Sequence, residues 1–179
     1  MSAAAITDER LAELRRSFDE AFARPPAEAS AAVEDLLFIR VGGDPYAVRL
    51  RELTGLAPAG RIAPVPGPTP ELLGLATVRG ALVPTYDLTA LLGYPRERDA
   101  PAWLLLCDGD KGRVALGVVH LERHGRIPAA DVTTADDAAR REHVSALVRS
   151  PAESAGVVDV RSLIAAIARR LHAPGRDKE

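Results

Sequence analysis

The sequence predicts a mainly β fold, a barrel or sandwich of many short strands with accessory amphipathic helices near its two ends. Short apolar runs recur between turns rich in Gly and Pro, which is typical of successive hairpins. Hydrophobic residues make up 47% of the 179-residue chain, but aromatic residues only 4%, so we expect an aliphatic core. The length suits one domain, or two small subdomains that share a core.

The first predicted element is an amphipathic helix from Ile6 to Phe22, which Thr7 or Asp8 can cap. Pro25-Pro26 ends it, and the Ala-rich stretch 27–32 is a plausible linker. Its apolar face either covers a patch of its own domain or docks a partner, and both interpretations stay open. The residues of that face are Leu11, Leu14, Phe18, Ala21 and Phe22.

A β-hairpin is expected next, with arms Leu36–Val41 and Tyr46–Leu50 on either side of Gly42-Gly43-Asp44-Pro45. In the second arm Tyr46, Val48 and Leu50 point one way, and Ala47, Arg49 and Arg51 point the other. A Pro-rich connection, 58–70, then follows an extended path.

The run Gly74–Leu88 is apolar except for one cation in its middle, Arg79. A charge that is buried alone is costly, so this side chain must reach water or find a carboxylate. The run should supply one or two strands, with Pro84 at an edge or a bulge. Asp87 can cap a short helical turn that Gly93 closes.

A second β half is expected from Trp103 onwards. Trp103–Cys107 and Arg113–Leu121 are predicted to form a hairpin, and Val144–Val148 and Ala155–Val160 short strands. Arg161–Leu171 has the period of an amphipathic helix. Its apolar face consists of Leu163, Ile164, Ile167, Ala168 and Leu171.

Composition argues against several classes of protein. A net charge of −2 is unlike the basic excess of a general nucleic-acid binder. A single cysteine, Cys107, leaves no intrachain disulfide framework and suits a reducing cytoplasm. The sequence also lacks an apolar run long enough to span a bilayer, and Met1–Asp8 lacks the blocks of a signal peptide.

No catalytic residue, cofactor site or metal site is predicted. His120, Glu122 and His124 share one face of a strand, but without HExxH order or a fourth ligand a solvated strand face is the better interpretation. Cys107 lies in an apolar strand and is predicted to be a buried structural thiol. The sequence contains neither a phosphate-binding loop nor a nucleophile elbow.

The run Gly74–Leu88, followed by Leu92-Gly93, resembles a motif of the CheW-like domain, the adaptor domain of bacterial chemosensory arrays. Family members carry a stretch close to G-V-x-N-L-R-G-x-V-V-P-V-x-D-L and then L-G. The resemblance covers Leu36–Leu171. Three further family signals occur in order, at Phe38–Leu53, Ile62–Pro66 and Val157–Leu163.

The resemblance implies a fold of two intertwined five-stranded SH3-like barrels, here with an N-terminal and a C-terminal amphipathic helix. The domain organisation would be a helix and linker extension at 1–32, a CheW-like domain of two β subdomains at 33–173, and a disordered tail at 174–179. The sequence departs from the family pattern at three positions. Thr77 replaces an asparagine, Thr89 an arginine, and His120 a frequently acidic residue.

The resemblance further implies a non-enzymatic, cytoplasmic scaffold. It would couple the cytoplasmic tip of chemoreceptors to the regulatory domain of a CheA-type histidine kinase, with no cofactor, nucleic acid or direct membrane insertion. One alternative is a divergent regulatory module of a non-chemotactic or motility pathway, which no longer couples a kinase and acts through its N-terminal helix. A small enzyme would need a polar pocket with perturbed titratable groups, of which the sequence gives no sign.

The resemblance also implies roles for individual residues. Arg79 would form a partly buried ion pair with Glu52, although it could instead reach solvent and only frame the strand. Val78, Arg79 and Leu82 would line the groove that takes the receptor helices.

The implied kinase-interface candidates are Leu50, Leu53 and Leu56 on the first barrel. Leu50 and Leu53 are equally well explained as plain core residues. A docking surface of this kind would gain its affinity from a few apolar anchors.

Overall fold

The computed structural model describes residues 32–67, 69–109, 112–134, 142–149 and 154–172. From Val33 onwards these residues belong to one compact unit, Val33–Glu179. The predicted helix Ile6–Phe22 and the tail 174–179 lie outside the described residues. The domain boundaries at 32 and 173 therefore stay predictions.

Strands dominate the described part of the chain, with two α-helices, α1 (Leu88–Leu91) and α2 (Val160–His172). Two 3-10 turns span Leu50–Glu52 and Ala129–Asp131. The strands are β1 (Val33–Val41), β2 (Asp44–Arg49), β3 (Gly55–Pro58), β4 (Ile62–Ala63), β5 (Leu72–Val78), β6 (Ala81–Asp87), β7 (Trp103–Gly109), β8 (Gly112–Val118), β9 (His120–Pro128), β10 (Val132–Thr134), β11 (Val144–Arg149) and β12 (Ser154–Val158).

The strands form two mixed six-stranded sheets. Sheet A has the order β10-β11-β12-β2-β1-β9, and sheet B the order β3-β7-β8-β6-β5-β4. Neighbours are antiparallel except for two parallel pairs, β12 with β2 and β6 with β8. The mainly β prediction is confirmed. Each sheet has six strands where the resemblance implies five per barrel, and each includes a very short edge strand, β4 or β10.

The two sheets do not follow the two halves expected from the sequence. Sheet A combines the first hairpin with the last four strands, whereas β7 and β8 join the middle of the chain in sheet B. The strand predicted to run from Arg113 to Leu121 also divides, because β8 ends at Val118 in sheet B and β9 begins at His120 in sheet A. Turn signals identify neighbours along the chain, and they do not report these distant pairings.

Both faces of β1 are buried, which explains its nearly continuous apolar run. Leu37 and Ile39 pack in the largest core cluster, which contains residues of both sheets and both helices. Leu36 and Phe38 pack in a second cluster on the other face of sheet A. Alternating residues of one strand therefore enter separate cores, as the period of two requires.

The predicted cap of α1 is confirmed, whereas Pro84, which was expected at a sheet edge or a bulge, lies in the inner strand β6. Asp87 caps α1, because its Oδ1 accepts hydrogen bonds from the amides of Thr89 at 3.0 Å and Ala90 at 3.4 Å. Pro84 pairs with Leu75 of β5, and the parallel ladder with β8 starts one residue later at Thr85. A residue without an amide hydrogen is tolerated at this position because it lies outside that ladder.

Candidate protein-docking surface

An open apolar groove of about 450 Å³ lies between β6, the adjoining ends of β7 and β8, and one side of α2. We call it the apolar groove. Arg113 is the one charged residue among the described residues that line it. Its apolar lining includes Leu82, Pro84, Val114, Ile164, Ile167 and Leu171.

Helix α2 presents this lining because its apolar stripe is wider than the core requires. One side of the helix, at Val160, Leu163 and Ala166, is buried. The neighbouring positions Ile164 and Leu171 turn toward the groove, and Leu171 is 42% exposed. An apolar helix surface that is only partly covered is suited to contact another protein.

Leu82 is the most exposed large apolar side chain among the described residues, at 69%. It follows the two-residue turn Arg79-Gly80, which joins Val78 of β5 to its partner Ala81 of β6. Both turn residues have positive φ, 50° and 81°, as in the tight turns that suit the twist of a hairpin. The left-handed backbone at Arg79 costs about 1–2 kcal/mol relative to glycine. The turn therefore holds an arginine in solvent three residues before Leu82.

The structure corrects the expected ion pair between Arg79 and Glu52. Arg79 is exposed at the tip of its hairpin, and no described residue pairs with it. Glu52 instead lies 3.8 Å from Nη1 of Arg49 and accepts a hydrogen bond from the amide of Val160 at 3.2 Å. Water solvates the charge of Arg79. This agrees with the alternative prediction, in which the arginine side chain reaches solvent.

Arg49 lies on the same face of β2 as Ala47, as the alternation of the sequence predicted, and it is the cation of a partly buried ion-pair cluster. Its side chain is 12% exposed, its Nε donates to Glu34 at 2.8 Å, and its Nη1 donates to the hydroxyl of Ser145 at 3.0 Å. With Glu52, these groups join β1, β2, β11 and the start of α2. The sequence signal for this cluster is the presence of opposite charges, Glu34, Arg49 and Glu52, in neighbouring elements. That signal is not sufficient, because the proximity of the three side chains depends on pairing between distant strands.

A second depression, of about 430 Å³, borders the apolar groove across Ile164, which lines both. We call it the α2 depression. Its lining includes Leu53 and the charged residues Arg51, Glu52, Asp108 and Arg161.

The candidate anchors from the sequence occupy different environments. Leu82 lines the apolar groove, Arg79 stands at the adjacent turn, and Val78 is buried in the cluster beneath sheet B. Leu53 lines the α2 depression. Among the three leucines assigned to the kinase interface, Leu50 and Leu53 are partly buried against the main core, whereas Leu56 is 38% exposed on the edge strand β3.

The residues that the sequence singled out for metal or thiol chemistry have structural contacts. Glu122 pairs with Arg40 at 2.8 Å, and His124 lies 3.2 Å from Asp35. Within the described ranges, no three His, Cys, Asp or Glu side chains group closely enough to hold a metal ion. Cys107 is buried, and burial, with smaller contributions from two carboxylates, raises its pKa to about 12. A thiol with that pKa is not a nucleophile at neutral pH.

His143 is a buried histidine that contacts the first turn of α2. Its side chain is 2% exposed, and Nδ1 shares a hydrogen bond of 2.8 Å with the hydroxyl of Ser162. Burial lowers the pKa of His143, and Arg170 and Arg169 act in the same direction. Glu142 and Asp159 oppose that shift. A titratable side chain thus contacts the helix that forms one wall of the apolar groove.

Neither helix within the described ranges combines the length and hydropathy needed to cross a bilayer. The family model for the CheW-like domain matches residues 35–168. The crystal structure of the scaffolding protein TtCheW from Thermoanaerobacter tengcongensis has a similar fold, with a TM-score of 0.61 and 11% sequence identity. The match covers 71% of this chain and 89% of that chain. A comparison with curated proteins finds no match.

Proposed function

Because the chain belongs to the CheW-like domain family, we propose that it is a non-enzymatic cytoplasmic scaffold that couples chemoreceptors to a CheA-type histidine kinase. The observation that carries this proposal is the apolar groove, with Leu82 and Leu171 both exposed in it. Contiguous apolar surface on a folded domain marks a site of interaction with another protein. Its described lining contains a single charged residue, which suits a helix better than a polar substrate.

The receptor tip is the proposed occupant of the apolar groove. A helix can place apolar side chains at positions i, i+3, i+4 and i+7 against such a surface. Leu82 and Leu171 would be the anchors, because they lose the most exposed apolar area on binding. Arg79 would lie at the rim, and Val78 would support the hairpin from beneath.

The kinase regulatory domain is the proposed partner of a neighbouring surface, formed by Leu53 in the α2 depression and Leu56 on β3. Leu56 is exposed on an edge strand, where a second β domain can approach its side chain and backbone. Leu50, packed against the core, would support this surface. The two docking surfaces would then meet at Ile164.

The family fold suggests how the sheets relate to the proposed organisation. Sheets A and B would correspond to the two SH3-like barrels of a CheW-like domain at 33–173. Residues 1–32 would be an extension with its own amphipathic helix, and 174–179 a tail. No cofactor, metal or nucleic acid enters the proposed role.

Calorimetry with the receptor tip and with the kinase regulatory domain tests the proposal. Leu82→Ser should weaken receptor binding about tenfold or more and leave kinase binding intact, because it removes one central anchor. Leu147→Ser is the matched control, since Leu147 is 41% exposed on β11 and outside the groove lining. A folded protein that binds neither receptor nor kinase would refute the proposal.

Two further variants test the kinase-binding surface and the alternative role, one each. Leu56→Ser should weaken kinase binding and leave receptor binding intact. Deletion of residues 1–25 should leave kinase binding unchanged in an adaptor. If that deletion abolishes activity in cells while the fold and the kinase complex are unaffected, the chain acts through its N-terminal segment instead.

A further inference from the structure

The helix that walls the apolar groove is strongly basic. α2 contains Arg161, Arg169 and Arg170 and no carboxylate. Arg161 and Arg169 are exposed, while Arg170 donates to the partly buried carboxylate of Glu71. The groove therefore borders a helix with two exposed positive charges, although the whole chain has a net charge of −2.

Two more arginines belong to the segments at one end of the groove. The starts of β6 and β8 border the same groove, because Ala81, Leu82, Gly112 and Arg113 all line it. The Arg79-Gly80 turn leads directly into Ala81, so it is at the same end of the groove as the start of β8. Arg113 lines the groove, and Arg79 is exposed just before Leu82.

The acidic groups at this end of the groove do not neutralise the positive charges of Arg79 and Arg113. Asp108 lies 3.8 Å from Arg113, but both side chains are about half exposed or more, and exposed pairs of this length contribute little. Asp110 and Lys111, between β7 and β8, are outside the described residues, and their formal charges cancel. Among the described residues, Arg113 thus has one exposed carboxylate nearby, and Arg79 has no ion-pair partner.

We propose that the apolar groove takes an amphipathic helix with carboxylates along the flank that faces Arg79 and Arg113. This inference rests on the proposed function, because it states the chemistry of the helix that the groove receives. Apolar anchors fill the groove beside Leu82, and the acidic flank sets the register and direction of the helix. Complementary charges at an interface rim speed association and exclude partners of the wrong sign.

The test uses two fluorescent helical peptides with the same leucine face, one with glutamates and the other with lysines along its flank. Fluorescence anisotropy with the full chain should show that the glutamate peptide binds about tenfold more tightly at low salt, and that the difference shrinks at high salt. Arg79→Glu with Arg113→Glu should reverse the preference, and the Gln variants should abolish it. Arg126→Glu on β9, also exposed, is the control and should change neither affinity.

Equal affinities for the two peptides would overturn the inference, and so would a lack of binding by both. Binding to phosphatidylglycerol vesicles without binding to either peptide would assign the basic rim to a lipid surface and overturn it as well. The proposed function fails in a different way, through loss of receptor and kinase binding altogether. A receptor complex that Leu82→Ser weakens and the arginine reversals leave intact would retain the scaffold and remove only the acidic helix.

Discussion

Glu52 accepts a hydrogen bond from the backbone amide of Val160 at 3.2 Å, across 108 residues of chain. The first amides of a helix have no partner within it, and a carboxylate there also suits the helix dipole. Asp159 satisfies a second such amide, that of Ser162, at 2.9 Å. The helix that walls both candidate docking surfaces is thus held at its start by a side chain from the first hairpin region.

Glu52→Ala should lower the free energy of unfolding by about 1–2 kcal/mol, because it removes a helix cap and one partner of the partly buried Arg49. Urea unfolding followed by circular dichroism measures the change. Glu122→Ala is the control, since the Glu122–Arg40 pair is exposed and should contribute about 1 kcal/mol or less. Equal losses in the two variants would show that Glu52 does not act as a cap.

Double-mutant cycles should show which arginine interacts with Glu52. The family resemblance implies Arg79, whereas the structure places Arg49 near this carboxylate. Arg79→Ala and Glu52→Ala should add to within about 0.5 kcal/mol, because the structure does not bring them into contact. Arg49→Ala and Glu52→Ala should show a larger interaction energy. Coupling between Arg79 and Glu52 that exceeds the coupling of Arg49 with Glu52 would restore the ion pair implied by the family resemblance.

The sequence was sufficient where structure depends on neighbours along the chain. The Gly42-Gly43 turn predicts the β1–β2 hairpin, and Asp87 predicts the start of α1 through its capping oxygen. Alternation reports which residues point to a core, but not which distant strand lies alongside. The parallel pairs of β2 with β12 and of β6 with β8 could not be read from turns for this reason.

Because the sequence does not report which distant elements are neighbours, only the local part of the candidate site could be predicted. Leu82 and Arg79 were found through a local motif, and the structure places both at the exposed end of one hairpin. The partner of Glu52 is a backbone amide on a distant helix, and no residue type signals an amide. The apolar groove likewise requires β6, β8 and α2 to be neighbours, which follows only from the assembled sheet.

Acidification should destabilise the protein through His143. Its pKa in the folded state is lower than the ordinary value near 6.5, so the unfolded chain binds more protons in this range. The stabilisation is complete above about pH 6.5 and is lost as the pH falls through the folded-state pKa. Urea unfolding at a series of pH values measures this dependence.

His143→Asn is the matched variant for this measurement, because asparagine tolerates the left-handed backbone at φ 68° and does not titrate. The variant should lose part of the pH dependence between about pH 7.5 and 5.5, while acidic groups elsewhere contribute equally to both proteins. The same slope in the two proteins would mean that His143 binds protons equally well in the folded and unfolded states.

Gly74→Ala should be among the most destabilising small substitutions in the central motif. Gly74 has φ 141°, and an added Cβ would meet the carbonyl group of Ala63 on the neighbouring strand β4. Because backbone rather than a flexible side chain occupies that space, we expect a loss of about 2 kcal/mol or more in urea unfolding. Gly60→Ala is the control, since its Cβ would meet nothing within 4 Å. If both variants unfold at the same urea concentration, β4 does not pack against β5 as closely as the structure shows.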